Sequence, residues 1–184
     1  SWERISDKES GRLRGSGLLK GARRFDIDKL ARELGGDHEL GAADPKNEYK
    51  PVLERFIELN NKQFQIAAQR MLKVLGFTIH REVKSEADPD FDEGKAIAFV
   101  ASRVHPRTKK NVAYLVQIRR FRENVGPIPV GNCLDMMQEL SLENSIFFVS
   151  SSFTEAALNI VQRDNRVQLV DRTGLVKVLR KIIK

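Results

Sequence analysis

Four consecutive apolar residues, Ile146-Phe-Phe-Val149, constrain the fold of this chain more than any other segment. A strand with one face in water alternates apolar and polar residues, whereas a continuous apolar run is typical of a strand covered on both faces. Val130, Leu134 and Met137 repeat at helical spacing before the run, and Thr154 is a suitable N-cap after it. These features predict a central strand between two layers of helices, as in an α/β protein.

The other elements predict a mixed sheet. The predicted strands are 77–83, 96–103, 112–121, 146–149 and 167–170. The second and third are joined by a polar segment, 105–110, that suits a hairpin turn. With a helix over 64–75 and a closing helix over 174–183, the predicted order from residue 64 onward is α-β-β-β-α-β-α-β-α. We therefore expect a three-layer α/β/α domain with a central mixed sheet.

The segments before this domain differ in composition. Residues 1–24 are rich in Gly, Ser, Lys and Arg and lack apolar periodicity, which predicts a basic flexible arm. Residues 25–61 predict a helical N-terminal extension: a short helix over 25–34, a loop over 35–48, and a helix with Pro51 near its first turn. The main domain is expected over 62–184. The chain begins with Ser1 instead of methionine, so we expect either that it is processed or that upstream residues are missing.

Composition narrows the class of protein. The net charge of +7 and pI of about 9.7 favour an anionic partner, with nucleic acid as the first candidate. Cys133 is the only cysteine, which excludes an internal disulfide and a cysteine-rich zinc site. No apolar run reaches the roughly 18 residues that a membrane span needs. A cytoplasmic or nucleoid location is the default expectation, and organelle import stays open.

Three segments carry a family resemblance. They are Val116-Gln-Ile-Arg-Arg-Phe-Arg-Glu-Asn-Val125, Ile146-Phe-Phe-Val-Ser-Ser-Ser-Phe-Thr-Glu-Ala-Ala157 and Val167-Gln-Leu-Val-Asp-Arg-Thr-Gly-Leu-Val176. In this order and spacing they resemble the Mrr-type restriction endonucleases of the PD-(D/E)xK superfamily, over residues 62–183. The resemblance implies the restriction-endonuclease fold, a DNA substrate and a magnesium-dependent site.

The resemblance also implies which residues stand at the site. The glutamate of the family's first helix falls on Gln65, and its metal-binding aspartate falls on Ala96. The glutamine of the Gln-x-Lys motif is kept as Gln117, but its lysine falls on Arg119. Alanine has no group that binds a hard cation, and arginine keeps the charge but cannot act as a base. We therefore expect no metal cofactor, and a domain that binds DNA phosphates without cleaving them.

A migrated active site is the rival hypothesis. An acidic cluster precedes the strand at residue 96; it consists of Asp88, Asp90, Asp92 and Glu93. Asp90 or Asp92, with Gln117 and Lys95, could hold Mg²⁺ in an active endonuclease. The plainer interpretation is that the cluster is a solvated turn.

Basic residues suggest where DNA would bind. Those near the predicted hairpin and the end of its second strand are Arg103, Arg107, Lys109, Lys110, Arg119, Arg120 and Arg122. Side chains alternate along a strand, so Arg120 and Arg122 should point away from the face of Arg119. If the hairpin and the strand end line one groove, they form a phosphate-binding rim.

The sequence leaves partners other than DNA open. A third hypothesis is a non-DNA-binding interaction or scaffold domain with protein partners in a larger assembly. A homodimer is expected only by analogy with other superfamily members. No membrane partner is expected.

Overall fold

The structure, a computed structural model, describes residues 45–182. The predicted arm (1–24), the predicted helix 25–34 and the remaining residues up to 44 lie outside the described residues. The helices of the described part are α1 (Pro45–Glu58), α2 (Asn61–Val74), α3 (Pro89–Asp92), α4 (Pro127–Glu139), α5 (Glu155–Arg163) and α6 (Arg172–Ile182). None of these helices is long and apolar enough to cross a membrane. The strands are β1 (Thr78–Val83), β2 (Ala96–Val104), β3 (Asn111–Arg119), β4 (Ser145–Val149) and β5 (Val167–Val170).

The five strands form one mixed sheet in the order β1-β2-β3-β4-β5. The first three pair antiparallel, and β3, β4 and β5 pair parallel. Parallel neighbours need a long crossover, and α4 and α5 provide the two crossovers here. The predicted α/β fold with a central mixed sheet is confirmed.

Side-chain alternation along β3 separates the two faces of the sheet. Val116 and Ile118 lie in a core that the sheet forms with α1, α2 and α6. Leu115 lies in a second core, which the sheet forms with α4 and α5. Because the period is two, Gln117 and Arg119 face the same side as Leu115. Two polar side chains therefore enter the second helical layer from the middle of the sheet.

The central strand is covered on both faces, as the apolar run predicts. All five residues of β4 are buried. Ile146 and Phe148 belong to the core with α1, α2 and α6, whereas Phe147 and Val149 belong to the other core. Full burial of such side chains contributes roughly 1.5–3 kcal/mol each, so β4 anchors both layers.

The helix around Pro51 begins earlier than the sequence predicts. The structure begins α1 at Pro45, so Pro51 lies inside the helix, and the prediction of a loop over 45–48 was wrong. Leu53 and Phe56 are buried in the core with α2 and α6. This packing outweighs the backbone hydrogen bond that an internal proline removes. α1 is therefore part of the helical layer of the domain.

Arg120 joins the end of β3 to the junction between α1 and α2. Its Nε donates to the carbonyl of Gly94 at 2.8 Å. Its Nη1 donates to the carbonyls of Ile57 and Leu59. The guanidinium carbon lies 4.2 Å from the centre of the Phe64 ring. One side chain thus satisfies carbonyls from two loops, which would otherwise lose hydrogen-bond partners.

We predict that Arg120→Met destabilises the domain by about 2–4 kcal/mol, because charged hydrogen bonds to part-buried carbonyls are lost. The free energy of unfolding is measured in urea. Arg122→Met is the matched control: Arg122 bonds Glu54 at 2.5 Å, but its side chain is half exposed and its loss should change the stability little. Equal stability of Arg120→Met and wild type would contradict the role given to Arg120.

Candidate functional site

A buried arginine lies at the end of β3. Arg119 is 0% exposed, and so is Gln117, its neighbour on the same strand face. The Nε and Nη2 atoms of Arg119 donate to Gln117 Oε1 at 3.3 and 3.1 Å. Burying a guanidinium costs free energy unless anions and hydrogen-bond acceptors surround it. The remaining partners of Arg119 therefore determine the chemistry of this site.

Two carboxylates complete the surroundings of Arg119. Its Nη2 donates to Asp88 Oδ2 at 2.7 Å, and its Nη1 donates to Asp90 Oδ2 at 2.9 Å. Both aspartates belong to the connection between β1 and β2, where Asp88 is the N-cap of α3. The Asp90 N–H donates to the other oxygen of Asp88 at 3.1 Å, which leaves Oδ2 directed at the guanidinium.

Neighbouring groups hold this arrangement in place. Asn132 of α4 donates to Asp88 Oδ2 at 3.3 Å. The rings of Phe91 and Phe147 each have their centre 5.4 Å from the guanidinium carbon of Arg119. Aromatic rings at this distance attract a cation. The guanidinium is therefore enclosed by three oxygen acceptors and two rings.

The charge of Asp88 depends on Arg119. Burial raises the pKa of this carboxyl, because the charged form loses water. The hydrogen bond and charge of Arg119, with the Asp90 N–H and the Asn132 amide, outweigh that effect. The net result is that the pKa of Asp88 lies below its ordinary value of 3.8. Asp88 is thus a buried, ionised carboxylate.

The four family positions are only partly together. Ala96 is the register partner of Arg119 across β2 and β3, and it is buried. Its methyl group offers no ligand. Gln65, on α2, instead donates to Glu82 of β1 at 2.8 Å. The structure therefore groups Gln117, Arg119 and Ala96 at the strand end, with Gln65 bonded elsewhere.

The residues of the rival hypothesis also separate. Asp90 reaches the cluster, as described, but Asp92 is 66% exposed and pairs with Lys84 at 2.8 Å. Lys95 pairs with Glu93 at 3.0 Å, at the surface. Of Asp90, Asp92 and Lys95, only Asp90 contacts Arg119 or Gln117 in the part of the chain that the structure describes.

Asp88 is the site residue that sequence reasoning did not single out. The interpretation of the acidic cluster as a solvated turn is wrong for this residue, because Asp88 is only 3% exposed. A local signal exists: Asp88 precedes Pro89, and Asp before a proline at the first helical position is typical of a helix start. That signal predicts a cap but not a buried ion pair.

The predicted phosphate-binding rim needs correction at the strand end. Arg119 has no exposed surface, and Arg120 is bonded to backbone carbonyls, so neither guanidinium lies open to a phosphate. Arg122 is exposed but pairs with Glu54. Sequence alternation correctly predicted that Arg120 and Arg122 point away from Arg119, because both contact the side of α1 and α2. The alternation could not predict that the guanidinium groups of all three arginines bond to other groups of the same chain.

The hairpin between β2 and β3 keeps its basic residues at the surface. Arg107, Lys109 and Lys110 are exposed, and none of them forms an ion pair with a described residue. Arg103, at the base of the hairpin, is partly buried, and its guanidinium carbon lies 5.8 Å from the centre of the Phe77 ring.

Family comparison identifies the domain. The restriction endonuclease family Mrr_cat matches residues 56–179, about two thirds of the chain. The chain belongs to this Mrr family. The match confirms the resemblance carried by the three sequence segments.

Two solved restriction endonucleases match this Mrr domain, and the first resembles it in fold. One is the MspJI restriction endonuclease in complex with a 27-mer oligonucleotide, at 13% identity and a TM-score of 0.54, covering 83% of this chain and 34% of that one. Another is the DNA modification-dependent restriction endonuclease AspBHI, at 17% identity and a TM-score of 0.46, covering 94% and 47%. The chain therefore spans about a third and about half of their lengths. The comparison with curated proteins gives no match.

The residues at this site do not fit the magnesium ion that the family implies. Ala96 provides no ligand, and the carboxylates of Asp88 and Asp90 are bonded to a guanidinium in the position between them. Among the described residues, no three His, Cys, Asp or Glu side chains gather in a way that could hold a metal ion. The wild-type cluster is therefore not arranged as a metal site.

We predict that Asp88→Asn destabilises the domain by about 3 kcal/mol at neutral pH, because Arg119 stays buried with one anion fewer. The pKa of Asp88 is lowered on folding, so this stabilisation is present above the ordinary pKa of 3.8 and is lost as the pH falls through the folded pKa. Urea unfolding between neutral pH and pH 3 measures both effects.

Asp92→Asn is the control for this measurement, because Asp92 is exposed and does not contact Arg119. If Asp88→Asn and Asp92→Asn are equally stable, or if both keep the wild-type loss of stability at acid pH, the assigned role of Asp88 is wrong.

Cys133 gives a separate prediction. Burial raises the pKa of its thiol to about 11. Ser145 Oγ lies 3.3 Å away and donates its own hydrogen to the Leu115 carbonyl, so the thiol is the donor to Ser145. We expect the native protein to resist a thiol reagent such as DTNB and to react fully once unfolded. Rapid reaction of the native protein would contradict this burial.

Proposed function

We propose that this Mrr domain binds duplex DNA through the basic tip of the β2–β3 hairpin and does not hydrolyse it. Membership of a restriction endonuclease family and a net charge of +7 support DNA as the partner. The MspJI structure, which is similar in fold, is a complex with an oligonucleotide. For this chain, the proposal rests on the charges and contacts of its own residues.

The tip is an ordered turn that presents several cations. His105 Nδ1 accepts from the N–H groups of Arg107 and Thr108, each at 3.2 Å. The His105 N–H donates to the Lys110 carbonyl at 2.8 Å, and the Lys109 N–H donates to the His105 carbonyl at 2.9 Å. These bonds fix the backbone between two long strands. The exposed cations are thereby held together, which suits contact with successive phosphates.

Local sequence strengthens the positive field of the tip. From residue 94 to residue 122 the chain contains no aspartate or glutamate. Few aromatic residues accompany these basic residues, so the tip lacks the stacking surfaces of single-strand binding proteins. Contacts to the phosphate backbone of a duplex are the interaction that it supports best.

One observation supports the proposed absence of cleavage: the buried guanidinium of Arg119 is bonded to Asp88 and Asp90. In this arrangement both carboxylates are paired with the same guanidinium. Arginine cannot accept a proton from an attacking water, because it stays charged at every physiological pH. The rival hypothesis of an active endonuclease is less well supported, since Asp92 and Lys95 form surface pairs.

The experiment measures binding and cleavage together. Fluorescence anisotropy with a labelled duplex gives the dissociation constant over a range of salt concentrations, and the same duplex with Mg²⁺ or Mn²⁺ is examined on a gel. The test variant combines Arg107→Gln, Lys109→Gln and Lys110→Gln. We expect salt-sensitive binding, a salt slope reduced by about 3 in the variant, and no cleavage product.

The matched control removes three exposed charges from α2, by Lys62→Gln, Arg70→Gln and Lys73→Gln. It changes the net charge equally and should weaken binding much less. Equal weakening in both variants would contradict the hairpin tip. No binding at low salt would favour the interaction or scaffold domain, and cutting abolished by Asp92→Ala would establish the active enzyme.

A further inference from the structure

The acceptors around Arg119 enclose one cation, its own guanidinium. Three oxygens face it: Asp88 Oδ2 at 2.7 Å, Asp90 Oδ2 at 2.9 Å and Gln117 Oε1 at 3.1 Å from the nearest guanidinium nitrogen. The oxygens come from two separated parts of the chain, the α3 segment and β3. With two carboxylates, the acceptors carry two negative charges against the single positive charge of Arg119.

Groups other than Arg119 also position the Asp88 carboxylate and the backbone of Asp90. The Asp90 N–H holds the second oxygen of Asp88, and the Asn132 amide donates to the same Oδ2 that Arg119 contacts. The Lys95 N–H donates to the Asp90 carbonyl at 2.8 Å, and the Arg120 N–H donates to the Lys95 carbonyl at 2.9 Å. These bonds tie the α3 segment to the strand end independently of the guanidinium. We therefore expect the oxygens to stay close together when the arginine side chain is shortened.

We propose that the Arg119 guanidinium is the resident cation between these oxygens, and that its removal uncovers a site for an oxygen-preferring divalent cation held by Asp88, Asp90 and Gln117. Two carboxylates and an amide oxygen are hard ligands of the kind that bind Mg²⁺, Mn²⁺ and Ca²⁺, with water completing the coordination. In the wild type, a divalent ion would have to displace a fully buried guanidinium bonded to all three oxygens. The protein itself thus supplies the positive charge at this place.

The inference deepens the part of the proposed function that concerns cleavage, and it does not depend on DNA binding. It explains how two carboxylates persist at a position where Ala96 and Arg119 replace the groups that the family implies. Their role in the wild type is to neutralise a buried arginine.

The test compares Arg119→Met with wild type in a titration with Mn²⁺ in the absence of DNA. The loss of the free Mn²⁺ signal in electron paramagnetic resonance gives the affinity directly. We expect Arg119→Met to bind one Mn²⁺ at least about tenfold more tightly than wild type. Its melting temperature should rise with Mn²⁺ or Ca²⁺ concentration, because the ion binds only the folded state.

Two further variants make the result specific. Arg120→Met removes the adjacent guanidinium, which bonds carbonyls and no carboxylate, so it should not acquire Mn²⁺ binding. Adding Asp88→Asn to Arg119→Met should abolish the new affinity. The proposal is overturned if wild type binds Mn²⁺ as tightly as Arg119→Met, or if Arg120→Met gains the same affinity.

If Arg119→Met is unfolded without metal, circular dichroism measures whether added metal restores folding, so the proposal can still be tested. Folding that depends on Mn²⁺ concentration would support the proposal, since the ion would then replace the missing positive charge. A variant that stays unfolded at every metal concentration would contradict it. Either outcome leaves DNA binding at the hairpin tip untouched, because no DNA is present.

Discussion

The arrangement of side chains at the end of β3 depends on a fully buried guanidinium, that of Arg119. Removing such a group from water costs several kcal/mol unless charge and hydrogen bonds compensate for the loss. Asp88 and Asp90 provide the charge, and Gln117 provides a further acceptor. Arg119 therefore holds the side chains of Asp88 and Asp90 in the connection between β1 and β2, whose backbone is also bonded to the strand end through Lys95.

Arg119 and Arg120 perform different tasks because neighbouring strand residues face opposite sides of a sheet. Arg119 points toward α4 and binds the α3 segment, whereas Arg120 points toward α1 and α2 and bonds the carbonyls of Ile57 and Leu59. Two adjacent side chains thus connect the central sheet to both helical layers. These contacts also fix the positions of the loops that carry Asp88, Gly94 and Leu59.

The family's site and the exposed basic residues lie at different places in this domain. At the family's site, positive and negative side chains are paired with each other inside the protein. At the hairpin tip, Arg107, Lys109 and Lys110 remain exposed on a hydrogen-bonded turn. This distribution of charge is the basis of the proposed contact between the hairpin tip and a phosphate backbone.

The sequence by itself determined the fold class, the family and the order of the elements other than the short helix α3, because those depend on local periodicity and on motifs close together in the chain. The run 146–149 and the alternation along β3 sufficed to place a covered central strand and to separate Arg119 from Arg120. Only the tertiary structure decided that Asp88 and Asp90 are partners of Arg119, because they lie about thirty residues away in the chain. Their ion pairs with the buried guanidinium outweigh the tendency of an acidic turn to remain solvated. The tertiary structure likewise decided that α1 continues through Pro51, because burial of Phe56 in the core is a long-range contact that local propensity does not contain.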